Sequence, residues 1–150
     1  MIHDNGETLV LIKPDAVARG HADLIISRYE QVGLRVLRSM RISSLSRELA
    51  EKLYAEHKGR DFYDGLIAFM TRGTIVALHL TGPIGIVEQV REMNGATDPK
   101  QAARGTIRHA YGTGGPANAV HSSATAEAAA REIALFWPEP MVRPNPKEGG

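Results

Sequence analysis

One histidine stands in a run of small residues, Asn118-Ala119-Val120-His121-Ser122-Ser123, ahead of a helix-forming stretch that carries Arg131-Glu132-Ile133. An uncharged imidazole is a competent nucleophile toward phosphorus near neutral pH, because its ordinary pKa leaves it largely unprotonated. The second ring nitrogen needs a partner to set the tautomer and to answer the charge that develops as a bond forms. Glu132, about two turns into the helix, can fold back to supply it. A loop histidine also reads as an ordinary surface residue, so the case depends on what gathers around it. Lys13, Arg91 and Arg108 each stand at the end or edge of an element. Converging, they would neutralise the charge of a transferring phosphoryl group, the guanidiniums as forks and the ammonium as a point charge. Taken singly, each reads as a solvated charge. Thr97, before Asp98-Pro99, reads as a hydroxyl donor to phosphate or as a turn residue. Phe62, with Leu66 one turn on, reads as a stacking platform for a base or as ordinary core. Gly112-Thr113-Gly114-Gly115 follows no clear strand into a helix and reads as a turn, and no P-loop pattern is present.

These residues need a scaffold. The 150 residues suit one domain, expected as a core over about 8–137 and a tail over 138–150. A formal charge of +1 gives no global case for a nucleic-acid or membrane-surface protein. Cysteine is absent, so disulfides, thiolate catalysis and Cys-ligated metals are excluded. No apolar run approaches the roughly 20 residues of a membrane span, and the first residues lack the plan of a secretory signal. A cytoplasmic protein without membrane or specific nucleic-acid partners is the expectation.

Residues 8–12 form an apolar run stopped by Lys13-Pro14 and read as a buried strand. Residues 22–32 read as a helix with Gly33 just beyond it. Leu34 to Ile42 alternates, with Leu34, Val36, Arg38 and Met40 on one side, and reads as a second strand. Helices are expected over 46–58, with Ser46 as N-cap, and over 62–70 and 84–94. Ile75 to Leu80 reads as a strand, and Thr125 to Phe136 as a helix with Glu127 and Arg131 spaced to pair. The order suggests an α+β fold, a ferredoxin-like antiparallel sheet (βαββαβ) with helices packed on one face and an added C-terminal loop and helix. The fourth strand is expected at residues 106–111, with 111–124 mainly loop. The tail from 138 is expected to be disordered or draped over a neighbouring subunit.

Taken together, the motifs resemble those of the nucleoside diphosphate kinase family from about Thr8 to Phe136. They are Ile12-Lys13-Pro14-Asp15-Ala16, Arg60-Asp61-Phe62-Tyr63-Asp64-Gly65-Leu66, Gly95-Ala96-Thr97-Asp98-Pro99, Gly105-Thr106-Ile107-Arg108 and Asn118-x-x-His121. The resemblance implies a reversible ping-pong transfer of a γ-phosphate through a phosphohistidine on His121, oriented by Glu132. It implies that Lys13, Tyr54, Arg91, Thr97, Arg108 and Asn118 contact phosphates or ribose, that Phe62 stacks on the base and that Leu66 lines the slot. It also implies Mg²⁺ carried on the nucleotide phosphates, and a homo-oligomer, tetramer or hexamer. The family's Gly-Ser-Asp after the histidine stands here as Ser122-Ser123-Ala124. Ser122 would crowd a backbone of positive φ. Ala124 removes an acid at the start of a helix, leaving Thr125 to act as N-cap. A catalytically weak nucleotide-binding assembly or regulatory module is the alternative these departures raise.

Overall fold

The computed structural model describes residues 6–139. Four strands form one sheet in the order β2-β3-β1-β4, every neighbouring pair antiparallel: β1 (Gly6–Ile12), β2 (Arg35–Ile42), β3 (Ile75–Gly82) and β4 (Val120–Ser122). This is the expected ferredoxin-like arrangement. Between the strands run α1 (Pro14–Ala18), α2 (Ala22–Gln31), α3 (Arg47–Leu53), α4 (Tyr63–Thr71), α5 (Ile86–Asn94) and α6 (Ile107–Tyr111), with α7 (Ala126–Phe136) last.

Both faces of the sheet are covered, not one. Leu9 and Leu11 of β1 enter a core cluster with α3, α4 and α7, while Val10 and Ile12 enter a second cluster with α1, α2 and α6. The reason lies in β1 and β3: both are apolar at successive positions, and side chains alternate between the faces of a strand. α5 contributes to both clusters, Val87 to the first and Val90 to the second.

Two further expectations are corrected. Residues 106–111 do not supply the fourth strand; they hold α6, where the Thr106 side chain accepts a bond from the His109 amide and caps the helix. The strand is β4, three residues inside the stretch read as loop, and it carries His121. In β2 the alternation of Leu34, Val36, Arg38 and Met40 breaks at a bulge between Val36 and Arg38. The extra residue switches faces, so Leu34 and Val36 pack into one cluster and Met40 and Ile42 into the other.

The helix starts follow their caps. Ser46 and Thr125 each accept a bond from the amide three residues on, so Thr125 caps α7 despite Ala124. Arg131 reaches the Lys52 carbonyl and Glu132. Residues 140–150, most of the expected tail, lie outside the described residues. Trp137, just past α7, is covered by Arg38, whose guanidinium lies 5.0 Å from the ring centre. Among the described residues no helix is long and apolar enough to cross a membrane.

Candidate active site

β4 pairs with the end of β1 so that His121 lies opposite Leu11, on the face covered by α3 and α7. From α7, Glu132 places Oε1 2.9 Å from His121 Nε2. A carboxylate only accepts, so in the neutral ring Nε2 carries the proton and Nδ1 the lone pair. Ser123, two residues on and therefore on the same face, donates from Oγ to the same Glu132 oxygen at 2.9 Å. Glu132 is 2% exposed; two donors and the neighbouring Arg131 guanidinium satisfy its buried charge.

The cations converge near by. Lys13 is 5% exposed, donating to Asn118 Oδ1 at 2.8 Å and to the Pro116 carbonyl at 3.2 Å. Asn118 in turn donates to the Thr97 carbonyl at 2.9 Å. Burial, and then the Arg108 guanidinium, bring the Lys13 ammonium down from 10.5 to about 7, against the pull of Asp15. Arg108 spans two segments, donating to Gly95 O at 2.8 Å and to Val120 O at 2.9 Å. Its guanidinium is also brought down, by burial first and also by Arg91. Arg91 binds the Ala124 carbonyl at 3.0 Å. Cations crowded until they lower one another's charge affinity make a site for an anion.

Tyr54 ends α3 with its ring edge-on to His121, centres 5.4 Å apart. Burial and then Glu132 push its phenol up, so it stays a neutral donor. The Tyr54 hydroxyl and Arg108 Nε are buried without a partner among the described residues. Buried donors left unpaired by protein suit phosphate oxygens. Phe62 is 50% exposed, which removes the core reading; the Arg60 guanidinium lies 5.9 Å from its ring centre. Leu66, one turn on, packs at the edge of the core. His57 bridges the two regions, 6.2 Å from Tyr54 and 5.2 Å from Phe62 between ring centres. The Thr97 and Arg91 side chains lie at the exposed rim.

Sequence reasoning missed three contributors. Asp15 Oδ2 accepts the Ala119 amide at 3.1 Å, and Lys13 N donates to Ala119 O at 2.8 Å. Together they hold Ala119 at φ 74, a left-handed conformation rare for alanine. His57 and the bond from Ser123 were also missed. Only Ser123 had a sequence signal, the two-residue spacing of a strand. Ser122 takes extended backbone in β4, not positive φ, and so brings no strain. Gly112 to Gly115 is the expected turn, with Thr113 N bonded to Ala117 O.

The family model "Nucleoside diphosphate kinase" matches residues 6–142. A nucleoside diphosphate kinase of Thermus thermophilus is 48% identical over 136 residues, covering 90% of this chain and 98% of that protein. One of Pyrococcus furiosus is 50% identical, covering 87% and 81%. Among solved structures, the Aquifex aeolicus nucleoside diphosphate kinase superposes with a TM-score of 0.84 at 34% identity, covering 87% of this chain and 94% of that one. A halophilic nucleoside diphosphate kinase from Halobacterium salinarum in complex with CDP gives 0.83 at 40% identity, covering 89% and 88%. The family match over residues 6–142 and these relatives, on a sheet that sets a His–Glu pair beside clustered cations, place the chain in the nucleoside diphosphate kinase family.

Proposed function

We propose that His121 is the residue through which this nucleoside diphosphate kinase passes phosphate. The contact between His121 Nε2 and Glu132 carries the reading, because it leaves Nδ1 as the free nucleophile. In the first half-reaction the Nδ1 lone pair attacks the γ-phosphorus of a nucleoside triphosphate. The bond from that phosphorus to the β-bridging oxygen breaks, and its electron pair leaves on the nucleoside diphosphate. Nε2 keeps its proton, so the ring becomes a cation whose charge Glu132 balances. In the second half-reaction a β-phosphate oxygen of another nucleoside diphosphate attacks the phosphorus, the Nδ1–P bond breaks, and its electron pair returns to Nδ1, leaving the ring neutral.

Lys13, Arg108 and Arg91 hold the phosphates, Tyr54 and Asn118 donate to phosphate or ribose oxygens, and Thr97 lines the rim. Phe62 stacks on the base beside Leu66. Stacking reads a π-face and discriminates poorly between bases. Among the described residues no three His, Asp or Glu side chains come together to hold a metal. The donor set suits anions, so Mg²⁺ belongs on the nucleotide's own phosphates, where it offsets their charge. The alternative of a catalytically weak nucleotide-binding module is less favoured, since Ser122 is unstrained and Thr125 caps α7.

The test is intact mass after mixing with ATP and Mg²⁺. We expect one acid-labile phosphoryl group, absent in His121→Ala and discharged by a second nucleoside diphosphate. Folded wild-type protein that binds ATP and gains no mass would refute the assignment.

The reading extends to one cytoplasmic domain, with 138–150 as its tail, assembled as a tetramer or hexamer. Support for assembly comes from the long outer edge of β2 and from Leu24, Val32 and Ile84, large apolar side chains left exposed. Light scattering should give four or six times the 16.3 kDa chain mass; a monomer would overturn this part.

A further inference from the structure

We infer that Asn94 is a positioning residue for phosphoryl transfer, acting through Ser122 to hold the strand that presents His121. The inference rests on His121 as the phosphoryl carrier. β4 is three residues long and, among the described residues, lies at the sheet edge and pairs with β1 alone. So short a ladder leaves much of the strand's placement to side chains.

On the His121 face, Glu132 and Ser123 supply the brace. Ser122 lies opposite Val10, on the other face. There Asn94, the last residue of α5, donates from Nδ2 to Ser122 Oγ at 3.0 Å. Asn94 Oδ1 accepts from the Tyr29 hydroxyl at 2.6 Å. Asn94 and Tyr29 are both 0% exposed. A buried amide among apolar side chains persists when its groups are paired, and here both ends are.

The connection has a second limb. Gly95, next along from Asn94, accepts from Arg108, whose other terminal nitrogen donates to Val120 O. The C-terminal end of α5 is thereby tied to the residue on each side of His121: to Ser122 through Asn94, and to Val120 through Arg108. The family motif has glycine where Ser122 stands, and a glycine would offer Asn94 no side-chain acceptor. In this chain the hydroxyl is an added anchor for the strand, matched to a buried amide that needs it.

The test is rapid-quench measurement of phosphohistidine formation from ATP and Mg²⁺, with ADP affinity measured in parallel. Variants are Ser122→Gly, Asn94→Leu, their combination and Ser122→Thr. We expect each of the first two to slow phosphorylation about 10-fold, the scale of a small misplacement of the nucleophile, with ADP affinity held within about twofold. The combination should be no slower than Asn94→Leu alone, because the Asn94–Ser122 bond that Ser122→Gly removes is already lost there, along with the bond from Tyr29. Ser122→Thr keeps the hydroxyl and should keep the rate. Wild-type rates in Ser122→Gly, a multiplied loss of about 100-fold in the combination, or ADP affinity falling in step with rate would each overturn the inference. A wild-type protein that gains no phosphate would overturn the His121 reading itself, and the inference with it; a wild-type that phosphorylates beside unaffected variants overturns the inference alone.

Discussion

Glu132→Gln should lower kcat by about 100-fold while leaving the KM for nucleotide near its wild-type value. Glutamine preserves the shape and an oxygen that still accepts from His121 Nε2–H. What it removes is the negative charge opposite a ring that becomes cationic as Nδ1 bonds to phosphorus. Hydrogen bonds to charged groups contribute about 1.5–3 kcal/mol, and each 1.36 kcal/mol is about tenfold in rate, so a loss toward the upper end gives this factor. Binding should hold because no nucleotide contact is assigned to Glu132. The fold should hold as well: Ser123 Oγ retains an acceptor at the same place, and a buried charge is gone. Single-turnover phosphorylation and a thermal melt separate the two effects. An unchanged rate would mean that the His121–Glu132 contact is architectural.

Lys13→Met should reduce kcat/KM by about 100-fold or more, since an ammonium amid developing phosphate charge is lost, and should make the unliganded protein more stable near neutral pH. The second half follows from the sign of the proton linkage. Lys13 binds its proton at about 7 in the folded chain and at 10.5 when unfolded. Between those values the unfolded chain holds the proton and the folded chain does not, so stability rises with pH across the window. Below pH 7 the full penalty for charging a buried amine is present, on the order of 5 kcal/mol at 1.36 kcal/mol per unit. Methionine removes that penalty but strands Asn118 Oδ1, which has bonded the amine at 2.8 Å. The net gain should be about 2 kcal/mol, shrinking as pH approaches 10.5. Denaturant melts of both proteins across the range check it; a gap that widens with pH would refute the assignment.

The same shift predicts a proton signature of binding. At pH 8 the amine is mostly neutral in the free protein, and phosphate oxygens restore its charge. ADP binding should then take up roughly one proton, read by calorimetry in buffers of different ionisation enthalpy. Lys13→Met should abolish the uptake. Affinity should weaken as pH rises above about 7 in wild type, and less so in the variant.

The chemistry of this chain was legible before its shape. Residue type and spacing around His121, Lys13 and Arg108 suggested the phosphoryl-transfer site proposed above, because that reaction needs a nucleophile, an orienting acid and convergent cations wherever they sit in a fold. Local structure was legible where its cause is local: Ser46 and Thr125 cap helices through the amide three residues on, and the apolar runs of β1 and β3 are strands. What depended on partners distant in sequence was not. Three residues of β4 carry no periodicity, and only pairing with β1 makes them a strand. Residues 106–111 have strand-like side chains, but a cap at Thr106 makes them helical. The bulge in β2 is defined by its register against β3. Phe62 could be core or platform until packing left half of it exposed. Lys13 is an ordinary lysine in sequence; burial beside Arg108 alone moves its titration. Ser122 faces Asn94 because strand pairing sends His121 to one side of the sheet and its neighbour to the other. Composition and short-range spacing encode which groups are available, whereas their direction, solvation and charge state are set by contacts between segments far apart in the chain.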